Sequence, residues 1–245
     1  MNLIILNKSE ADKKVSQEII NLINDKKNCV LGLATGSTPE GVYTLLVEAY
    51  KQGKVSFKNV TTFNLDEYVG LADSHPQSYR YFMNNHLFLH VDINLDKTHV
   101  PGNKGDENDL SVYDENIKKH GGIDLQLLGI GSNGHIAFNE PGTPFDSKTH
   151  IVTLKESTIK DNSRFFNSID EVPTSSITMG LNSIMNAKKI ILMAFGKNKA
   201  EAICKMFTKD ANVDLPASIL QKHDNVTIYC DEEAASLLIN EVKVG

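Results

Sequence analysis

The chain has 245 residues, with 25 Lys and Arg against 31 Asp and Glu, a formal net charge of −6. An acidic balance argues against a nucleic-acid partner, because neutralising a phosphate strand needs a basic face or stripe. With 23% charged and 40% hydrophobic residues and a mean hydropathy of −0.25, the composition is that of a globular protein, and the length fits one α/β domain over residues 1–245.

The first residues, Met-Asn-Leu-Ile-Ile-Leu, form an apolar run too short for a signal peptide, with no basic segment before it. No run approaches the ~18 apolar residues of a membrane span. Cys29, Cys204 and Cys230 are odd in number and far apart, which fits neither a disulfide framework nor a zinc site. A reduced, cytoplasmic protein with no membrane partner is expected.

Short β-branched runs alternate with amphipathic stretches, the pattern of a Rossmann-like, mainly parallel sheet with helices on both faces. Strands are expected at Leu3 to Leu6, Cys29 to Leu33, Val60 to Leu65, Asp124 to Ile130, Ile151 to Leu154, Lys189 to Ala194 and Val226 to Cys230, all seven in one sheet. Ser9 is expected to cap a helix reaching Asn24, with Val15, Ile19, Ile20, Leu22 and Ile23 on its apolar stripe. Further helices are expected at Pro39 to Tyr50, Gln77 to Leu87, Glu107 to His120, Asn198 to Phe207 and Glu232 to Glu241. No linker, repeat or low-complexity segment interrupts the pattern. Ligands of such sheets bind outside the carboxyl ends of the strands, so chemistry is sought in the loops that follow them.

The first such loop is Thr35-Gly36-Ser37-Thr38-Pro39-Glu40. Free amides at the start of a helix, three hydroxyls and a permissive glycine form an anion cradle, while the plainer reading is a capping box from Ser37 to Glu40. No Gly-Lys-Ser/Thr follows, which excludes a Walker loop. The second is Phe63-Asn64-Leu65-Asp66-Glu67-Tyr68, with two carboxylates at a strand end. Adjacent residues of an extended chain face opposite ways, so Asp66 and Glu67 do not share a proton; one faces the site while the other anchors the loop, unless both are solubilising charges.

The third is Gly129-Ile130-Gly131-Ser132-Asn133-Gly134-His135, which satisfies G-x-G-x-x-G after a strand and has Glu156 beyond the next one. That fingerprint also requires a crossover helix, and Pro141, Gly142 and Pro144 leave no room for one before Ile151, so nicotinamide and flavin binding are set aside. What remains is a glycine-rich loop that presents His135, with Glu140 placed to orient the imidazole if the loop folds back. His86 and His90 are four apart but lack the Glu of a metalloprotease helix and are read as structural. Arg164 offers a planar fork suited to phosphate, and Lys199 starts a helix, where a cation opposes the dipole. Solvated surface roles are the plain alternative for both.

In this order, Thr35-Gly36-Ser37-Thr38-Pro39, Phe63 to Leu71 and Gly131 to Pro141 resemble the glucosamine-6-phosphate deaminase family, supported by Ser74 to Tyr79, Asn162 to Phe166 and Lys199-Ala200. The resemblance spans nearly the whole chain. It implies a Rossmann-like fold without nucleotide, a small sugar phosphate as substrate, no cofactor and no metal. The implied reaction takes glucosamine 6-phosphate and water to fructose 6-phosphate and ammonia. His135 is then the ring-opening base, assisted by Glu140, and Asp66 the residue that moves a proton from C2 to C1. Gly36 to Thr38, Arg164 and Lys199 would hold the phosphate.

Two departures bear on this. Some members have Asp where this chain has Asn133, and an amide can only orient or hydrogen-bond His135, leaving more electrostatic support to Glu140. Members activated by N-acetylglucosamine 6-phosphate carry an Arg and a Lys where this chain has His150 and Val152, and a longer tail, so no such activation is expected. A 6-phosphogluconolactonase shares the glycine-rich loop, and a sugar-phosphate-sensing domain shares the fold; Asp66-Glu67-Tyr68 and Phe138 to Pro141 favour the deaminase over the first, and the lack of a DNA-reading module over the second. Asn139 to Phe165 is the expected lid. Homo-oligomer formation is left open, as no self-complementary patch stands out.

Overall fold

The computed structural model describes residues 1–102, 110–154, 159–160, 163, 166 and 168–244, with side chains to residue 239. Arg164 and Glu156, and residues 107–109 of the expected fourth helix, lie outside the described residues.

Seven strands form a fully parallel sheet: β1 (Asn2–Ile5), β2 (Val30–Leu33), β3 (Thr61–Asn64), β5 (Thr98–His99), β6 (Leu125–Leu128), β9 (Ile190–Ala194) and β10 (Val226–Cys230). Their order is β1-β10-β9-β6-β2-β3-β5. The chain runs outward from β2 through β3 to β5, then returns to β6 on the other side of β2. The crevice between the carboxyl ends of β2 and β6 is therefore a topological switch point, where α/β sheets bind ligands.

One expectation needs correction. The strand around Ile151 exists, as β7 (His150–Thr153), but it belongs to a second, antiparallel sheet in the order β4-β8-β7, with β4 at Asp66–Tyr68 and β8 at Ser175–Thr178. Its side chains alternate between half-buried and exposed, whereas the central strands of the parallel sheet are buried throughout, as strands covered on both faces must be. The two-residue β5 takes the seventh place.

Helices α1 (Lys8–Asp25), α2 (Glu40–Lys51) and α3 (Tyr79–His86) cover one face, where Val15, Ile19, Val42, Leu46 and Met83 pack on Leu31, Leu33 and Leu127. The other face carries α4 (Ser111–Lys119), α5 (Leu181–Met185), α6 (Ala200–Thr208) and α7 (Glu232–Val244), with Ile117, Leu181, Ile203 and Ala235 against Phe63, Leu128 and Ile190. The cap of α1 is Asn7, not Ser9: Asn7 Oδ1 accepts from the Glu10 amide at 3.0 Å while its Nδ2 donates to the Glu10 carboxylate at 2.8 Å, a reciprocal pair like a capping box. At the amino edge of the sheet, Asp124 accepts from Lys26, from Lys188 and from the Val30 amide. No helix among the described residues is long and apolar enough to cross a membrane.

Candidate active site

The β2–α2 turn presents Gly36 and Ser37 to solvent, with Gly36 in the left-handed region at φ +87°. Pro39 caps α2 without a side-chain hydrogen bond. The plainer reading, a capping box from Ser37, is thus not formed, and among the described residues nothing accepts from or donates to the Ser37 and Thr38 hydroxyls beside the helix start. Thr38 lies against Gly129, its Oγ1 3.9 Å from where a Cβ there would stand, which brings the β2 loop against the β6 loop.

The two carboxylates after β3 divide as adjacent residues of a strand must. Glu67, 3% exposed, turns inward and accepts from the amides of Tyr68, Tyr79 and Arg80 at 2.9, 3.0 and 2.9 Å. It anchors the start of α3 electrostatically as well, a carboxylate at a helix N-terminus. Burial raises its pKa and the three amides work against the rise. Among the described residues Asp66 has no such donors; burial first, and the Glu67 charge second, push its carboxyl up to about 8.

No helix follows β6 before β7, so the dinucleotide fingerprint is not built. The segment folds instead into a tight loop in which Gly131 N–H donates to the His135 carbonyl at 2.9 Å and Gly134 N–H to the Gly131 carbonyl at 3.0 Å. Both glycines are required by close approach. A Cβ on Gly131 would stand 2.2 Å from His135 Cε1, so the imidazole lies against the backbone there; a Cβ on Gly134, which is at φ +83°, would stand 2.2 Å from Leu215 Cδ1. Asn133 joins the two ionisable members of the loop: its Nδ2 donates to Glu140 Oε2 at 2.8 Å, and its Oδ1 accepts from the His135 backbone N–H at 3.1 Å and lies 2.7 Å from His135 Nδ1. Glu140 Oε1 is 3.6 Å from the same Nδ1. With the amide nitrogen committed to the carboxylate, the amide oxygen faces the ring, so Nδ1 carries the hydrogen and Nε2 is the basic nitrogen.

Lys199 ends a single 3₁₀ turn and is the N-cap of α6. It is partly buried, and desolvation lowers its pKa with no carboxylate opposing the shift. A cavity of about 700 Å³ lies beside the His135 loop and the Lys199 turn, lined by Ser132, Asn133 and Asn198 and, further along, by Glu201, Lys205 and Asp214, but not by His135 or Lys199 themselves. His86 and His90 are occupied structurally, one stacked on Phe82 at 4.1 Å and the other hydrogen-bonded through Nε2 to the Asn85 carbonyl at 2.7 Å.

Sequence reasoning passed over the strand β8, although it supports both arms. Thr178 of β8 pairs in register with Asp66, and its Oγ1 accepts from the Phe138 amide at 3.2 Å. Ser-Ser-Ile-Thr carries little apolar signal, and only its pairing makes it a strand.

The family model for glucosamine-6-phosphate isomerases and 6-phosphogluconolactonases matches residues 8–229. A glucosamine-6-phosphate deaminase of Thermoanaerobacter sp. (strain X514) is 52% identical, covering 98% of this chain and 95% of that protein. One from Mycoplasma mycoides subsp. mycoides SC is 53% identical over 98% of each chain. Among solved structures, one described as a monomeric glucosamine-6-phosphate deaminase superposes with a TM-score of 0.92 at 44% identity, covering 97% of this chain and 100% of that one. A 6-phosphogluconolactonase from Trypanosoma cruzi, at TM-score 0.76 and 20% identity over 97% and 96% of the two chains, shares the fold. With the family model matched over most of its length and relatives above half identity, the chain belongs to the family of glucosamine-6-phosphate isomerases and 6-phosphogluconolactonases.

Proposed function

We propose that the protein opens the ring of glucosamine 6-phosphate, isomerises it and releases ammonia, leaving fructose 6-phosphate. The observation that carries this reading is the presence of two different proton carriers at the carboxyl ends of β6 and β3, the strands on either side of β2: a histidine locked as a base by Asn133 and Glu140, and an aspartate whose carboxyl burial pushes up to about 8. A hydrolase of lactones has no need of the second. The 52% identity to a protein named for the deaminase reaction supports the same choice.

In this scheme His135 Nε2 removes the proton of the C1 hydroxyl and a proton is returned to the ring oxygen, so the hemiacetal opens to the aldehyde. The imidazolium formed on the way is stabilised through the Asn133 amide, whose dipole points its oxygen at the ring and its nitrogen at the Glu140 carboxylate. Asp66, ionised once the substrate's ammonium stands beside it, takes the C2 proton and delivers it to C1. A base with a pKa close to the working pH suits that transfer, and such catalysis contributes typically ~10²–10⁴-fold. Water then adds to the C2 imine and ammonia departs. The phosphate is assigned to the Gly36 to Thr38 turn and to Lys199, with Arg164 as the third proposed contact.

We also infer that N-acetylglucosamine 6-phosphate does not activate the enzyme. At the two positions concerned, His150 has its Nδ1 2.7 Å from the Lys148 carbonyl, and Val152 is aliphatic. Purified protein given glucosamine 6-phosphate should release ammonia and fructose 6-phosphate along a hyperbolic rate curve, with or without the acetylated sugar. Hydrolysis of 6-phosphogluconolactone without ammonia release would favour the other branch of the family.

A further inference from the structure

Asn139 is fully buried between the loop that carries His135 and the strand end that faces Asp66. Its Nδ2 donates to the Met179 carbonyl at 2.8 Å and to the Ile136 carbonyl at 3.0 Å. Met179 in turn donates its own N–H to the Leu65 carbonyl at 2.7 Å, one residue before Asp66. Two hydrogen bonds therefore lead from the histidine loop to the aspartate strand, and the Phe138 bond to Thr178 runs beside them.

The Asn139 backbone also donates to Ile136 at 3.2 Å and closes a bridge with it. Inside that bridge Ala137 is held at φ +51°, the one positive φ at a residue other than glycine among the described residues. Left-handed backbone at alanine persists only where the surroundings over-determine it. The oxygen of the Asn139 amide has no partner, so the donor half of the side chain makes the contact. Aspartate would set a carboxylate against two carbonyl oxygens, and leucine would take the side-chain donor away from both carbonyls.

We propose that Asn139 is a positioning residue: it holds the ring-opening arm and the proton-transfer arm at a fixed separation, so that one bound sugar meets both. This rests on the deaminase reading above. Small displacements of catalytic groups cost up to about 10²-fold in rate, and residues that act as a unit lose activity non-additively.

The test compares Asn139→Asp in the wild-type and His135→Gln backgrounds, following ammonia release and thermal unfolding. The expected result is a kcat lowered about 10–100-fold with KM nearly unchanged, and a double variant as active as His135→Gln alone. A variant that keeps wild-type kcat, or losses that multiply between the two sites, would overturn the positioning role and leave a residue that only stabilises the fold. Absence of ammonia release from the wild-type enzyme would overturn the deaminase reading and this role with it. If Asn139→Asp does not fold, Thr178→Val removes the neighbouring acceptor on the same connection and is held to the same two results.

Discussion

The two edges of the parallel sheet treat buried charge in opposite ways. At the amino edge Asp124 is also buried, and burial alone would raise its pKa. Hydrogen bonds from Lys188, Lys26 and the Val30 amide outweigh that and bring it below the ordinary carboxylate range, while Lys188 is raised in return, first by its hydrogen bond to Asp124. At the carboxyl edge Asp66 has no donors among the described residues and is pushed up to about 8, and Lys199 is pulled down by desolvation with no described carboxylate to restore it. Compensated charges cement the fold; uncompensated ones keep their chemistry for a ligand.

Removing the uncompensated carboxylate should have the largest effect. Asp66→Asn is expected to lower kcat by about 10²–10⁴-fold, seen together with loss of C2 proton exchange into solvent; exchange at the wild-type rate would remove Asp66 from the mechanism. The same substitution should change the stability profile. Because the native carboxyl binds its proton up to about pH 8 and the unfolded one only to about 3.9, wild-type stability should fall as pH rises between those values, and the Asn variant should lose that decline. In the free enzyme kcat/KM should rise toward a limb near pH 8.

Lys199→Ala comes next. A lost charge-assisted hydrogen bond of about 1.5–3 kcal/mol corresponds to a KM raised about 10–150-fold with little change in folding. An unchanged KM would return Lys199 to the ordinary surface. Asp124→Asn, at the compensated edge, should leave kinetics alone and cost about 1–2 kcal/mol in denaturant unfolding, since its lysines are half-exposed and the bond to the Val30 amide is the buried one. Its depressed native pKa means that this contribution is present above the unfolded value and lost as pH falls through the native one, so the variant and wild type should converge in acid. Smallest of all, Ala137→Gly should change stability by less than about 1 kcal/mol, relief of the left-handed conformation being offset by backbone entropy.

Six of the seven strands of the parallel sheet were legible, five as short, fully buried runs and β1 as an apolar run at the sheet's edge. Periodicity shows that His150–Thr153 is a strand but not which sheet it joins, and β5 is too short to show any period at all. The division between Asp66 and Glu67 could be read from chain geometry, yet not which was which; that depends on the start of α3, twelve residues further on, turning back to offer its amides. The bridging amide of Asn133 was legible only as a side chain able to orient His135. Asn139 could not be singled out, because its partner Met179, and Leu65 to which Met179 is bonded, lie far from it in the chain and are brought to it only at the end of β8.

The register that pairs Asn2 with Thr227 also sets an order of events. Among the described residues β1 is an edge strand paired with β10 alone, and Ile4 and Ile5 remain partly exposed even in the finished sheet. At about 5–20 residues per second, a ribosome that has made β1 works for roughly ten seconds or more before its partner strand emerges. Through that interval the nascent chain carries an apolar strand whose pairing partner is not yet made, so β1 and β10 are locked into the sheet together, late in synthesis.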